Sequence, residues 1–378
     1  MLDYETLRIV WWLILGVLLI GFAIMDGFDL GVAAIFRFIG RCDDERRALL
    51  ESIEPVWDGN QVWLILGGGA TFAAWPLLYA ASFSGLYMAM FLLLVALILR
   101  PVGFTFRNKI ESARWRDVWD WALFVGGAVP ALLFGVAFGN LFLGVPFHFD
   151  ELQRPVYTAG FFNLLHPFAL LAGIVSVAML VMHGAAYAAL KVGDPMSERA
   201  AGVGRAAAVV FMLAFVAAGV WVAFGLEGQR VISGIDAAGP ADPLRKSVEV
   251  AAGAWLDNYR AHALLWLAPG SALLAAMLTS VMLGTHRKDL AFLMSCIVQA
   301  GTILTAGFAL FPFLLPSSTH PSHGLTVWDA SSSRTTLLIM LVAVIVFLPI
   351  VLAYTAWVFR VLRGRITLEE IRRHGGAY

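Results

Sequence analysis

The chain has 378 residues, 60% of them hydrophobic and only 14% charged, and its formal net charge is zero. Soluble domains average about 45–50% apolar and about 25% charged residues, so this composition excludes an ordinary soluble protein and fits a polytopic membrane protein. A neutral balance gives no electrostatic reason to expect nucleic acid or an acidic partner.

The chain opens on acidic residues, Asp3 and Glu5, rather than the basic stretch of a secretory signal,. Its first apolar run, Ile9 to Phe36, is long enough to be a retained membrane helix. Further runs at 60–78, 80–99, 118–140, 162–189, 204–226, 260–284, 289–312 and 335–360 bring the expected spans to nine. Trp75-Pro76 and the segment from Ser82 to Gly85 separate the second run from the third, because proline and glycine punctuate helices. Two long polar connections are expected at about 227–259 and 313–334. Trp255, Trp266 and Trp328 lie near predicted interfaces, where tryptophan anchors at headgroup depth. Cys42 and Cys296 form no CxxC pair, which argues against a disulfide framework or a zinc site.

Nine spans put the termini on opposite sides. One side then takes Arg37, Arg41, Arg46 and Arg47, the group from Arg100 to Arg116, the basic residues near 191–205 and 287–288, and the tail from Arg360 to Arg373. That is 19 of the 26 basic residues. Basic residues collect on the cytoplasmic side, so the N-terminus is expected outside and the C-terminus inside. A shift of 157 residues aligns Gly16 with Gly173, Met25 with Met182 and Gly27 with Gly184. With it comes an expected architecture: an all-α membrane protein of two four-helix bundles, residues 1–150 and 151–320, plus a peripheral ninth helix and cytoplasmic tail, 321–378. Gly27-x-x-x-Gly31 and Gly135-x-x-x-Gly139 allow close helix contact.

The charges inside these runs carry the functional signal. Asp26 and Asp29 share one face near the inner end of the first helix. Asp58 opens the second with Asn60 and Gln61 beside it, Arg100 closes the third before Pro101, and Asp117 and Asp120 open the fourth. Four helices thus bring polar groups to one cytoplasmic mouth. Charges in hydrocarbon are expensive and mark function by default. Burial and a nearby arginine pull a carboxylate's pKa in opposite directions, so such a group can hold and pass protons. It also fits an internal ion-pair network, and Asp58 and Asp120 equally suit helix N-termini. Trp57 and Trp63 flank the group, as the lining of an apolar route or as helix packing. Haem needs axial ligands such as His or Met; His166 and His183 read instead as core or interface residues. His320 and His323 make an HxxH in a loop, weak grounds for metal. No P-loop, GxGxxG fingerprint or nucleophile elbow is present.

Several segments in order resemble subunit II of cytochrome bd-type quinol oxidases. They are Met25-Asp-Gly-Phe-Asp-Leu-Gly31, Trp57-Asp-Gly-Asn-Gln-Val-Trp63, Leu99-Arg-Pro-Val-Gly-Phe104, Trp119-Asp-Trp121, Gly135-Val-Ala-Phe-Gly-Asn-Leu141, Phe311-Pro-Phe-Leu-Leu-Pro316 and Val327-Trp-Asp-Ala330. The resemblance runs essentially end to end. It implies a multi-pass protein of the bacterial inner membrane, in a complex that passes electrons from quinol to oxygen. Water is formed, and the complex builds a proton gradient without pumping. The haems b558, b595 and d then belong to a partner, subunit I, and this chain carries no catalytic residue or metal. A structural ubiquinone in this chain, bound lipid and small single-span subunits are also implied. By resemblance Asp58 heads a proton route shared with subunit I, followed by Asp26, Asp29, Arg100 and Asp120, while Trp63 resembles the aromatic at the mouth of an oxygen channel. A proton-coupled transporter is the competing reading, supported by the faint repeat and the carboxylates.

Overall fold

The computed structural model describes residues 3–373; residues 1–2 and 374–378, the end of the expected tail, lie outside the described residues. The first helix, α1 (Tyr4–Ile39), starts where the Asp3 carboxylate accepts a hydrogen bond from the Thr6 N–H at 2.7 Å,. A short amphipathic helix, α2 (Asp43–Glu51), follows, and then α3 (Trp57–Ala74), α4 (Pro76–Gly85) and α5 (Tyr87–Phe106). Pro76 explains the α3–α4 break: the residue before a proline is pushed out of the helical region, and Trp75 sits at φ −137°, ψ 73°. Leu86 makes a second break before α5.

This corrects the third expected span. It starts at Tyr87 rather than near residue 80, and it runs through Pro101 to Phe106. Arg100 is therefore inside a helix and does not close one.

Next come α6 (Ala113–Leu143), the hairpin of β1 (Phe147–Phe149) with β2 (Pro155–Tyr157), α7 (Pro167–Lys191) and α8 (Met196–Phe224). A second hairpin joins β3 (Glu227–Ser233) to β4 (Ser247–Ala252). The chain then passes through α9 (Asp257–Ala261), α10 (Leu267–Leu283) and α11 (Lys288–Leu310). A third pair, β5 (Phe313–Leu315) with β6 (Leu325–Thr326), precedes α12 (Arg334–Val361) and α13 (Leu368–Arg373). The expectation of an all-α chain thus holds for the spans but not for the connections, which satisfy their backbone groups by antiparallel pairing,.

Among the described residues, eight helical segments are long and apolar enough to cross a membrane: α1, α5, α6, α7, α8, α10 with its lead-in from Ala263, α11 and α12. The 18-residue α3 falls outside that set because Asp58, Asn60 and Gln61 occupy its first turn and a half. These helices and their connections give the molecule an arginine-rich end, where α1 finishes, and a strand-bearing end, where it begins.

The centre of the packing is α7, which touches α1, α6, α8 and α11. Both GxxxG motifs land on it. A Cβ on Gly31 would stand 2.1 Å from the Leu180 carbonyl oxygen, and one on Gly184 would stand 2.4 Å from the Gly31 backbone. Gly135 and Gly139 meet Ala172, Gly173 and Ala169 in the same way. Glycine is required at these crossings because backbone meets backbone. At the other extreme, α12 is peripheral and lies against α1 and α3.

At the strand-bearing end, Arg8 is fully buried. It donates to Ser331 Oγ at 2.7 Å and to the carbonyls of Ala237 and Gly239 at 2.7 and 3.0 Å. It ties the loop after β3 and the segment before α12 to the start of α1. At the arginine-rich end, α2 tucks Ala48, Leu49 and Leu50 into a core shared with α7, α8 and Ile371 of α13.

The crossing at Gly31 and Gly184 gives a direct test. Gly184→Leu should destabilise the purified protein by at least the ~1–3 kcal/mol typical of overpacking, read as a lower thermal midpoint. Gly202→Leu, on α8 with no atom within 4 Å of its Cβ position, should leave that midpoint unchanged.

Candidate functional site

Three places among the helices stand out, two of them charged and one apolar. The first is a buried pair of contacts between α1, α3 and α5. Arg100 donates to both oxygens of Asp26, at 2.7 and 3.0 Å, and both side chains are completely buried. One turn along α1, Asp29 accepts from Asn60 Nδ2 at 2.8 Å. Asp29 Oδ1 and Arg100 Nε have no hydrogen-bond partner among the described residues. The group holds two carboxyl groups and one guanidinium. Asp26 and Asp29 were expected to face a wet vestibule; both are fully buried, because α3 and α5 close over them.

The second place is the arginine-rich end. Asp120 is buried at the start of α6 and meets Arg107 at 2.6 Å, Arg46 at 2.9 Å and Arg37 at 3.9 Å. Arg107 also reaches Asp43 at 2.7 Å, and Arg37 reaches the half-exposed Asp117 at 2.7 Å. Glu45 of α2 accepts from Arg199 at 2.6 Å, and that contact holds its carboxyl below the ordinary glutamate range,. The loop arginines that signalled topology in the sequence thus lock α2, α5 and α6 together.

Asp58 belongs to neither group. It is exposed and makes no hydrogen bond or ion pair among the described residues. The expected meeting of Asp26, Asp29 and Asp58 does not occur, and Asn60 takes the place assigned to Asp58. Helical geometry explains the exchange: two residues apart is about 200° around the axis, so Asp58 and Asn60 point in opposite directions. The residues Asn60, Trp63, Gly67 and Ala74 form the buried face of α3. Asp58, Val62, Ile65, Gly69 and Phe72, spaced by four and three, form an outward stripe.

Trp63 packs against Gly21 so closely that a Cβ there would come within 2.3 Å of the indole. Trp57 is half-buried against Phe104, with ring centroids 5.9 Å apart. His183 has both ring nitrogens engaged, Nε2 with the Ile24 carbonyl at 2.8 Å and Nδ1 with Ser295 Oγ at 2.7 Å. It offers no free nitrogen to a haem iron in this arrangement.

The third place has no ionisable group at its centre. An apolar cavity of about 610 Å³ lies among α1, α6, α7, α8, α10 and α11, and Phe22, Phe134, Phe168, Met179, Phe215 and Thr302 are among its lining residues. Cavities of roughly 300–1,000 Å³ suit small-molecule ligands. The Thr302 hydroxyl, on the wall, has no partner among the described residues. Sequence reasoning missed this cavity. Its only trace there is small residues, such as Gly135, Ala172 and Gly219, alternating with aromatics on facing helices.

The family model for cytochrome bd terminal oxidase subunit II matches residues 7–362. The chain belongs to the cytochrome bd terminal oxidase subunit II family. It is 50% identical over 374 residues to the cytochrome bd-I ubiquinol oxidase subunit 2 of Escherichia coli (strain K12), covering 99% of both chains. It is 31% identical to the cytochrome bd ubiquinol oxidase subunit 2 of Bacillus subtilis (strain 168), covering 97% of this chain and 98% of that one. Among solved structures, the bd oxidase from Geobacillus thermodenitrificans contains a chain with the same fold: TM-score 0.69, 17% identity, 95% of this chain and 99% of that one. Membership of the subunit II family places the chain in an oxidase complex rather than with solute transporters.

The buried pair predicts an ordering of variants. Arg100→Met or Asp26→Leu alone strands a charge in the interior and should cost about 3–5 kcal/mol. The double variant Asp26→Leu/Arg100→Met should be less destabilised than either single variant. Thermal unfolding of the three proteins measures this, and a strictly additive double variant would show that the pair is not the unit.

Proposed function

We propose that this chain is the non-haem subunit of a bacterial inner-membrane quinol:oxygen oxidoreductase, and that it supplies the haem-bearing subunit I with a proton entry and a stable flank. The reaction passes electrons from quinol to oxygen and forms water, with haems b558, b595 and d in the partner. The gradient arises because protons are taken from the cytoplasm and released outside, without pumping. The full-length identity to ubiquinol oxidase subunits supports this reading.

The observation that carries the role of this chain is Asp58. A carboxylate on a lipid-facing stripe is costly, yet Asp58 heads the outward row Val62, Ile65, Gly69 and Phe72 with no partner among the described residues. Subunit I is the neighbour that relieves that cost, and Gly59 and Gly69, with open space beside them, let its backbone come close,. Placed there, Asp58 can take protons from the cytoplasm and hand them across the interface. Asp26, Asp29 and Arg100 then set the field one helix behind it, and Asp120 holds the loops in place. Trp57 lies half-buried at the edge of the same interface, and Trp63 stands behind it on the buried face of α3, on an apolar path suited to oxygen.

The architecture that suits this role has nine spans, with α3 counted as the ninth. Residues 1–150 and 151–320 form two four-helix units, and residues 321–378 form the peripheral helix and tail. The N-terminus faces the periplasm and the arginine-rich end faces the cytoplasm. The cavity fits a ubiquinone in a structural role: its aromatic walls would hold the ring and isoprenoid tail, and the Thr302 hydroxyl can donate to a quinone carbonyl oxygen. Lipid and small single-span subunits complete the assembly.

Two measurements test this. Asp58→Asn should slow oxygen consumption per haem several-fold while haem content stays normal; normal turnover would remove Asp58 from the proton route. Ala306→Phe, which narrows the cavity, should reduce the quinone extracted per complex, and an unchanged quinone content would place that molecule elsewhere.

A further inference from the structure

Three histidines that the oxidase reading leaves unused gather at the strand-bearing end. His148 lies on β1, while His320 and His323 flank the turn at Pro321–His323. The His148 and His320 rings are 4.9 Å apart and the His320 and His323 rings 5.1 Å apart. His323 stacks on Phe149 at 19°, and its Nδ1 accepts the Phe149 backbone N–H at 3.0 Å. A backbone N–H can only donate, so Nδ1 must be bare, and His323 is held neutral with its proton on Nε2. His148 Nδ1 is buried without a partner among the described residues. Among those residues, no three His, Cys, Asp or Glu side chains are arranged to hold a metal ion.

We propose that His323 is an acid-sensitive latch, fastening the end of the β1–β2 hairpin to the turn before β6 and releasing it when that face of the membrane is acidified. A second proton turns Nδ1 into a donor that confronts the Phe149 N–H, and the bond cannot survive. The other ties of this hairpin are of a different kind. Thr319 and Ser317 hydroxyls donate to the Phe147 carbonyl, and Val145 exchanges backbone hydrogen bonds with Pro316 and Ser318. None of these titrates, so acid frees the tip and leaves the base in place.

The surrounding charges act in the same direction. His148 faces His323 from β1, His320 from its own turn and Lys246 from the loop before β4, and each disfavours another positive charge. Two nearby carboxylates are committed, Asp329 to Lys246 at 2.9 Å and Asp150 to Arg154 at 2.8 Å, while Glu249 on β4 is exposed and 4.0 Å from Arg230. From β4, Val248 donates its N–H to Ser322 Oγ, which does not titrate. Burial, then His320, His148 and Lys246, holds the His323 imidazole below its ordinary value. A depressed imidazole stabilises the fold above its unfolded value of about 6.5, and that contribution is lost as pH falls below it. The claim that this face is the outer one rests on the orientation proposed above; the latch itself does not. An oxidase releasing quinol protons on that side would carry a loop that loosens as they accumulate.

Amide hydrogen exchange on the purified complex tests the latch, with rates corrected for the intrinsic effect of pH. In the wild type, protection of the Phe149 amide should fall several-fold between pH 7.5 and 5.5, while Phe147 and Val145 stay protected. His323→Asn keeps an acceptor oxygen that does not titrate, and it should hold protection across that range. His323→Phe should lack it at every pH. A wild type without pH dependence, or a His323→Asn variant with the same dependence, overturns the proposal. Repeating the measurement in sealed right-side-out vesicles separates the two claims. Release by acid outside supports the outer placement, and release only by acid inside overturns that placement while the latch stands.

Discussion

The Asp26–Arg100 pair sets the terms for the arginine-rich half of the molecule. A guanidinium or a carboxylate buried between helices is costly without a partner. The bidentate contact partners both, at 2.7 and 3.0 Å, only if α1 and α5 are held at one rotation and one depth,. With α5 fixed, Gly126 of α6 can approach the Arg100 stem, and Arg107 lies where it can reach Asp120. With α1 fixed, Asp29 points to α3 and selects Asn60. The rotation of α3 follows from that one hydrogen bond, and it puts Asp58 on the outside.

The chain therefore handles its membrane-depth carboxylates in different ways. Asp26 is matched by a guanidinium, Asp120 by three arginines at the edge of the membrane, and Asp29 by an amide on one oxygen alone. Asp58 is matched by nothing among the described residues. Inventories of charge at a given depth cannot separate these cases, yet they lead to different chemistry. A matched pair gives rigidity, while the unmatched carboxylate on an outward stripe is what the proposed interface rests on. The cavity on the other side of α1 is independent of all of them. It is walled by aromatics and small residues, and the Thr302 hydroxyl, which has no partner among the described residues, is there to orient an occupant.

Most of the helical layout was legible in the sequence because apolar runs, prolines and loop arginines report on the membrane directly. The glycine motifs also reported correctly, since Gly31 and Gly184 meet at the central crossing. Other features were not legible. Pro101 looked like a stop, but a proline in a membrane helix is tolerated where its neighbours satisfy the freed carbonyl, and α5 continues to Phe106,. The face of α3 was also hidden. Its inner and outer stripes are both apolar and glycine-rich, so hydropathy carries no period, and only the partner of Asp29 decides between Asp58 and Asn60. Ion-pair partners far apart in sequence, such as Arg107 with Asp43 and Arg199 with Glu45, leave no local signal at all.

The central claim is that the Asp58 stripe of α3 is where the haem-bearing subunit docks. A photoreactive benzoylphenylalanine placed at Val62, one turn from Asp58, tests it in native membranes, with Leu213 on the exposed side of α8 as reference. Irradiation should crosslink position 62, and not position 213, to the haem-bearing subunit. Capture of that subunit from position 213 with none from position 62 would contradict the assignment.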